Sequence, residues 1–449
     1  MSKTAIRCAI AAATLIVWSA SQPGWAQSYG NGRDITLDHF NSQITPPRDP
    51  NLGKWSGVPP QSDLATAIAK KDYPFLLKYY QSHCKAEDIP LTTAVESFAK
   101  NGTGVANCYY LGELYRNGQG VPADLKTALP FYQMAAEGGY WPAVQVLAGL
   151  YLEGKDVPPD AAKAIGYLTR FTTRAGVAPD LACQGAVELG AIYDTGKYGP
   201  ANGPEAVKWY SDCVSRTAKD GKTFPEQIRA MTLLANLYAD GKVVKPDAAK
   251  AAAIYQQVSY EIGAPPADRA NAQYHLGQFY LTGQGVAKDT ARGITLLKAA
   301  AEVKHRGAAF ALYKVYAADP GGDPAQASLY LAQAADLDVV EAQYLMGEKA
   351  LQANPPNLNE ARSWLQSAAL QGDVEAQFAM GAFDQKYASD TADGLAQAYM
   401  WFDLAAQNKD SRAEKARADL AAKLPADTVT RAKATEAQLK AKFPEVLAG

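Results

Sequence analysis

One phrase recurs eight times along this chain, and it sets the architecture before any other property is consulted. A Leu or Met, followed in all but one copy by Gly or Ala, stands at Leu111, Leu147, Leu189, Leu234, Leu276, Leu312, Met346 and Met380, at spacings of 36, 42, 45, 42, 36, 34 and 34 residues. In the clearest copies a Tyr follows four residues later and a Gly three beyond that. A unit of this length is one supersecondary element that cannot bury its apolar face alone, so successive copies must stack. Chains built this way offer long surfaces and usually bind other molecules.

The local pattern is helical. In residues 106–138, the positions four before and four after Leu111 share its stripe at about 100° per residue, which gives a buried seam including Tyr115. Gly112 lies a quarter-turn away and leaves room for a neighbouring helix, while Gly118 and Gly120 suit a left-handed helix stop. Asp124, just after Pro122, then offers its carboxylate to the exposed N–H groups that open a second helix. The same opening cue is read at Asp160, Asp247, Asp289, Asp323 and Asn359, with Gly203-Pro204 as a variant that puts Pro at the first helical position. Second helices alternate large and small residues: Phe131-Tyr132 with Ala135-Ala136, Trp364-Leu365 with Ala368-Ala369, Trp401-Phe402 with Ala405-Ala406. Facing layers interdigitate through such alternation. The predicted fold is all-α, a right-handed α/α solenoid of about eight helix-turn-helix repeats between helical caps.

The full pattern, A-x3-LG-x2-Y-x2-G-x-GV-x2-D-x2-KA-x2-W/Y-x3-AA-x2-G, resembles the Sel-one-like repeat, a relative of the tetratricopeptide repeat. Residues 272–301 (AQYHLGQFYLTGQGVAKDTARGITLLKAAA) carry it most fully, and the resemblance covers residues 106–408. Copies at 189 and 234 have longer connections, and those at 312 and 346 lack the Gly-x-Gly-Val turn. The resemblance implies an interaction scaffold, since relatives act as adaptors in envelope assembly, exopolysaccharide export, signalling control and host interaction.

Around this array the chain divides further. Residues 1–26 read as an export signal: Lys3 and Arg7 precede the apolar run Ala9 to Ser19, and Gly24-Trp25-Ala26 supplies a small-x-small site with the cut expected before Gln27. The apolar run is too short to span a bilayer, and Cys8 precedes it, which argues against lipid attachment. No stable membrane insertion is expected, and the mature protein is placed in the periplasm or outside the cell. Residues 27–60 form a Pro/Gly-rich arm that would dock through Trp55, residues 61–105 an N-terminal helical cap, and residues 409–449 a C-terminal helical cap divided at Pro425. A solenoid needs such caps because its terminal repeats have only one neighbour. With 44 basic and 46 acidic residues the chain lacks the positive excess that holds a phosphate backbone, so no nucleic acid partner is expected.

Four cysteines remain after cleavage: Cys84, Cys108, Cys183 and Cys213, an even number in a chain read as bound for an oxidising compartment. Cys183 lies near the start of one repeat's first helix and Cys213 near the end of its antiparallel second helix, so both fall at the same end of the pair. By the same reasoning Cys84, ending an upstream helix, faces Cys108, which opens the next. Two disulfides are predicted, with free buried thiols as the alternative.

Catalytic chemistry is thinly represented. His39, His83, His275 and His305 are scattered, with neither His-Glu-x-x-His nor Cys-x-x-Cys, so no zinc site and no cofactor are expected. Ser82-His83-Cys84-Lys85 and Ser97-Phe98-Ala99-Lys100 fit the Ser-x-x-Lys nucleophile motif of penicillin-recognising enzymes, and cysteine-rich relatives in the resembled family are linked to β-lactam binding. Ser-Asp-Asn and Lys-Thr-Gly are absent, and the chain is read as non-enzymatic.

A binding surface is better represented. Two residues before the repeated Leu or Met stand Tyr109, Tyr274, Phe310, Tyr344 and Phe378, about 200° round the helix from the buried seam. Two residues after it stand Glu113, Asn236, Gln278, Lys314 and Glu348 on the same face. In tetratricopeptide-like arrays this face lines the concave groove, so an aromatic ladder with changing polar neighbours is read as a site for a protein or peptide partner. Packing between repeats is the competing explanation for the ladder. A second functional reading is a peptidoglycan- or polysaccharide-related binding or regulatory role, with Trp141, Tyr274 and Tyr344 stacking on a glycan.

Overall fold

A computed structural model describes residues 61–84, 96–216, 221, 223–318, 323–388 and 391–447, with the backbone alone at 61–63, 65, 96–103 and 447. The expected signal segment, the 27–60 arm and Trp55 lie outside the described residues. Two short helices come first, α1 (Gln61–Lys70) and α2 (Tyr73–His83). Eight helix pairs follow: α3 (Glu96–Asn117) with α4 (Leu125–Glu137), α5 (Trp141–Glu153) with α6 (Ala161–Thr172), α7 (Pro179–Thr195) with α8 (Gly203–Ser215), and α9 (Pro225–Asp240) with α10 (Ala248–Tyr260). The remaining pairs are α11 (Pro266–Thr282) with α12 (Thr290–Glu302), α13 (Arg306–Ala318) with α14 (Pro324–Asp336), α15 (Val340–Gln352) with α16 (Leu358–Leu370), and α17 (Val374–Tyr387) with α18 (Ala392–Gln407). Helices α19 (Ser411–Ala421) and α20 (Ala426–Lys442) and a 3-10 turn (Pro444–Leu447) close the chain. Through α19 each helix packs on the next, and α20 packs back on α18, which makes an all-α solenoid of paired repeats.

The small residue of the repeated phrase has a steric cause. A Cβ added at Gly112 would lie 2.8 Å from the Tyr132 ring, and one at Gly347 2.6 Å from Leu365. Gly277 stands against Leu297 and Gly381 against Phe402 in the same way. The first helix therefore lies directly on a large side chain of its own second helix, and both Leu111 and Tyr132 are fully buried beneath it. The copy at Leu312 carries Tyr313 in this position, half-buried and stacked on Phe310 at 5.6 Å between ring centres.

The turn within each repeat is held by one recurring pair of bonds. The backbone N–H of Asp124 donates to the Tyr115 carbonyl at 2.8 Å, and Asp160, Asn202, Asp247 and Asp289 do the same to Tyr151, Tyr193, Tyr238 and Tyr280 at 2.8 to 2.9 Å. The side chain of the same residue then accepts from the helix: Asp124 from Thr127 N–H, Asp160 from Lys163, Asp247 from Lys250, Asp289 from Arg292. One residue thus fixes both ends of the turn, which satisfies helix N–H groups that would otherwise be orphaned. In the repeat at Met346 the capping residue is Asn357, not Asn359 as the sequence suggested. Its N–H donates to the Ala350 carbonyl at 2.9 Å, because the turn there is shorter and the cap must still reach the fourth residue after the Met.

Second helices end on the Ala-Ala pair. Tyr140, His305, Val339, Asp373 and Asp410 donate backbone N–H bonds to Ala135, Ala300, Ala334, Ala368 and Ala405. The residue before each donor takes a positive φ: Gly139 at 85°, Lys304 at 65°, Asp338 at 59°, Gly372 at 87° and Lys409 at 69°. This is the left-handed helix stop, used here with and without glycine.

Both expected cystine pairs are present. Cys84 and Cys108 lie 4.5 Å apart at Cα and join the end of α2 to α3, while Cys183 and Cys213 lie 4.4 Å apart and join α7 to α8. At the other end, the last turn seals the array through a buried amide network. Gln377, fully buried, donates to the Val446 carbonyl at 2.7 Å and to Ala369 at 3.2 Å, and Asn408 donates to both Gln377 and Val446.

Candidate functional site

The first helices form the face with the most to offer a partner. Among the described residues, α7 contacts α9, α9 contacts α11 and α11 contacts α13, whereas second helices of successive repeats show no comparable contact. From α7 to α13, first-helix side chains opposite the buried seam therefore make one surface that runs across these four repeats.

The aromatic ladder sits at the joints of this surface. Tyr109 is buried, its ring centre 5.2 Å from that of Tyr140, the residue that opens the next repeat. Tyr274 stacks at 4.7 Å on His305, also the opening residue of the next repeat, and Phe310 is buried. Phe378 packs on Phe402 at 5.5 Å and lies under the Arg412 guanidinium at 4.6 Å. Tyr274, Tyr344 and Phe378 are half-buried. Of the polar neighbours, Glu113 accepts from the buried Tyr132 hydroxyl at 2.5 Å, and Asn236 accepts from Tyr255 at 2.6 Å. Gln278 donates to the Tyr274 hydroxyl at 2.9 Å. Lys314 is exposed, 4.4 Å from the Phe310 ring centre and 3.3 Å from Glu341, and Glu348 is half-buried. Trp141 is buried against Phe171 at 4.7 Å, which removes it from the set of rings that a sugar could reach.

A polar row in the central repeats was not read from the sequence. Gln145 of α5 donates to Glu188 Oε1 of α7 at 3.2 Å, and Gln184 of α7 donates to Glu226 Oε1 of α9, also at 3.2 Å. The two bridges use different positions: Gln145 and Glu188 stand two and one residues before their Leu, Gln184 and Glu226 five and eight before theirs. The second oxygen of Glu188 is closed off from solvent and has no hydrogen-bond partner. Burial raises the Glu188 carboxyl to about 8, partly offset by the bond from Gln145 and the charge of Arg229. Asp268 of α11 is likewise raised by burial, with Arg229 opposing. The clue available in the sequence was the loss of aromatics two residues before the Leu, where Gln145, Val187 and Thr232 stand.

Charge divides the face. Helices α5, α7, α9 and α11 carry Glu153, Asp180, Glu188, Asp194, Glu226, Asp240 and Asp268 against Arg229 and Arg269, and no lysine. At about 100° per residue Glu153, Asp180, Glu188, Asp194, Asp240 and Arg229 fall on the half of the helix opposite the Leu seam, whereas Glu226 and Asp268, each eight residues before its Leu, fall about 80° from it. Arg269 is turned toward the seam side and donates to the Ala264 carbonyl at 2.9 Å.

Other candidates are accounted for by packing. The Ser82 hydroxyl donates to the Tyr79 carbonyl at 2.8 Å, while Lys85 and the side chains of Ser97 and Lys100 lie outside the described residues. Burial lowers His275 to about 4, with the nearby His305 adding to the effect. It lowers His305 to about 4 as well, here with Arg306 adding. Both rings are therefore neutral near pH 7. Among the described residues no three His, Cys, Asp or Glu side chains converge as a metal site requires, and no helix is long and apolar enough to cross a membrane.

A family model for the Sel1 repeat matches seven segments, residues 108–140, 143–172, 184–211, 228–257, 270–305, 340–373 and 374–410, together just over half of the chain. The chain belongs to the Sel1 repeat family. The copy left unmatched is the one at Leu312, where Tyr313 replaces the small residue. The crystal structure of a Sel1 repeat protein from Oxalobacter formigenes superposes with a TM-score of 0.58 at 22% identity, covering 76% of this chain and 92% of that one. A protective antigen of uropathogenic Escherichia coli strains with an SLR fold matches at a TM-score of 0.43 and 20% identity, over 86% of this chain and 96% of that one. Sel1 repeat proteins are generally non-enzymatic scaffolds that bind protein partners.

Proposed function

We propose that this protein is an exported scaffold that holds a protein partner along its first-helix face, in the assembly, export or signalling machinery of a bacterial envelope. The supporting observation is the run of first helices α7, α9, α11 and α13 in contact across four successive repeats, which presents one face for an extended partner. In this reading Tyr109 and Phe310 set the joints, and Tyr274, Tyr344 and Phe378 present their half-buried edges as rigid anchors. Glu113, Gln278, Lys314 and Glu348 surround them. Two cystines suit an oxidising compartment and support the export reading.

In-cell cross-linking of the tagged protein, followed by affinity purification and mass spectrometry, tests this reading. A Tyr274→Ala/Tyr344→Ala/Phe378→Ala variant is run alongside. The expected result is one defined partner that the variant loses while its helical circular dichroism is kept. Equal recovery by both forms would refute the anchors, and the absence of any defined partner would refute the scaffold.

A further inference from the structure

We infer that His305 is an acid-sensitive latch: its neutral ring caps α13 against α11 and α12, and a proton on that ring frays the start of α13. The latch stands apart from the scaffold reading, because its test reads the protein alone.

Three helices meet on this one residue. Its backbone N–H donates to the Ala300 carbonyl at 3.1 Å and so ends α12, directly after Lys304 at φ 65°. Its carbonyl accepts from Ala309 N–H at 3.2 Å, and its ring Nδ1 accepts from Ala308 N–H at 3.1 Å, which caps α13. The ring lies on Tyr274 of α11 at 4.7 Å between centres. Gly307 leaves room for that contact, since a Cβ there would stand 3.1 Å from Tyr274 and 3.3 Å from the His305 ring. Tyr274 in turn meets His275 at 5.0 Å, and His275 stacks on Tyr255 of α10, also at 5.0 Å.

The cap works in one protonation state only. An imidazole Nδ1 that accepts a hydrogen bond carries no proton, so the closed ring is the neutral form with its proton on Nε2. Protonation places a second N–H against that of Ala308, removes the cap and sets a positive charge at the positive end of α13. Among the described residues α13 is the one helix capped by an imidazole, whereas α17 and α19 are capped by the carboxylates of Asp373 and Asp410.

The surroundings of the ring oppose the proton. Burial lowers His305 from 6.5 to about 4, and Arg306 adds to the effect. Burial lowers His275 likewise, with His305 adding and Asp240 of α9 opposing. Tyr255 and Tyr274 face the two rings as phenols that burial keeps neutral. Among the described residues no charge of α12 or α14, the other helices packed on α13, moves either ring. The closed latch thus holds a proton on His305 less tightly than the open one. Its contribution is fully present above about pH 6.5 and is lost as pH falls to about 4. Mild acid is enough, because the freed ring takes up its proton below 6.5 while most carboxylates still carry their charge.

Hydrogen–deuterium exchange of the purified full-length protein at about pH 7 and about pH 5, corrected for intrinsic exchange rates, tests the latch. Peptides covering 305–312 should lose protection by about tenfold or more in acid. Those covering 140–147, where α5 opens with no side-chain cap, should keep theirs. His305→Asn supplies an acceptor that does not titrate and should hold protection within about twofold across the two conditions. His305→Ala should be less protected than the parent at pH 7 already. His275→Phe should lose protection in acid as the parent does. Circular dichroism melts verify that each variant is folded. The latch is overturned if the parent keeps its protection in acid, if His305→Asn loses as much as the parent, or if His305→Ala matches the parent at pH 7. It is also overturned if His275→Phe alone abolishes the acid loss, which would assign the proton to His275.

Discussion

The four central repeats, α5 to α12, and the three C-terminal ones, α13 to α18, are built on one helical frame and present different faces. In the central repeats the copies are 36 to 45 residues apart and the first helices carry acids, two arginines and glutamine–glutamate bridges. Further on the spacing falls to 34, and the aromatic two before the Leu or Met, regained at Tyr274 of α11, is kept in every copy. There the rings are covered by cations, Lys314 over Phe310 and Arg412 over Phe378. The frame is set by the Leu seam and the paired large and small residues between helices. The face is set by positions that the frame does not use, so one can change while the other is kept.

The two regions are also held together by different means, and the largest predicted effects follow from that. Replacing Cys183 and Cys213 with Ala should cost about 3 kcal/mol in the central repeats, read as a lower denaturation midpoint. A change near zero would mean that packing alone holds α7 on α8. At the C-terminal end no disulfide exists among the described residues, and the buried amide of Gln377 does the comparable work. Gln377→Ala should cost about 2 kcal/mol, since it removes the buried bonds to Val446 and Ala369 and leaves Asn408 with the Val446 carbonyl alone.

A change at Glu188 should act in the opposite direction. The Glu188 carboxyl is raised to about 8 in the folded protein, against 4.5 for its ordinary value. The folded state therefore holds this proton more tightly than the unfolded one. Its contribution is fully present below about pH 4.5 and is lost as pH rises toward 8. Glu188→Gln should thus be more stable than the parent by about 1–2 kcal/mol at pH 8, with the difference shrinking toward pH 4.5. Asp384 in the C-terminal region, raised to about 6 by burial against the opposing charge of Arg362, follows the same sign over a lower window. A Glu188→Gln melt with the parent's pH slope would show that the carboxyl is hydrated.

The smallest effect separates neither region but sharpens the frame they share. Lys409→Gly, at φ 69° in the stop after α18, should stabilise by about 1 kcal/mol. Gly372 already occupies the matching stop after α16, which is the internal control.

How much of this was legible in the sequence depends on range. The pairing of helices, the small residue under Tyr132, the cap at Asp124 and the Cys183–Cys213 pair follow from spacings within one repeat, and Cys84–Cys108 from the step between adjoining helices. Asn357 was misplaced by two residues because a cap is defined by the carbonyl it reaches, here Ala350, and not by residue type alone. The Gln145–Glu188 and Gln184–Glu226 bridges were missed because each joins two repeats through positions that are out of register with one another. A helical wheel of one repeat contains no such pair. The aromatic ladder was visible as a pattern, but its use at the joints, as in Tyr109 against Tyr140, depends on how far one repeat is turned on the next.

The most direct test of the central claim is site-specific photo-cross-linking in cells. A photoreactive residue is placed at Gln184 and at Glu348 on the first-helix face, and at the exposed Gln257 on α10. The account predicts a defined protein adduct from Gln184 and Glu348 and none from Gln257. Adducts from Gln257 alone, or equally from all three, would contradict it and move the partner off the first-helix face.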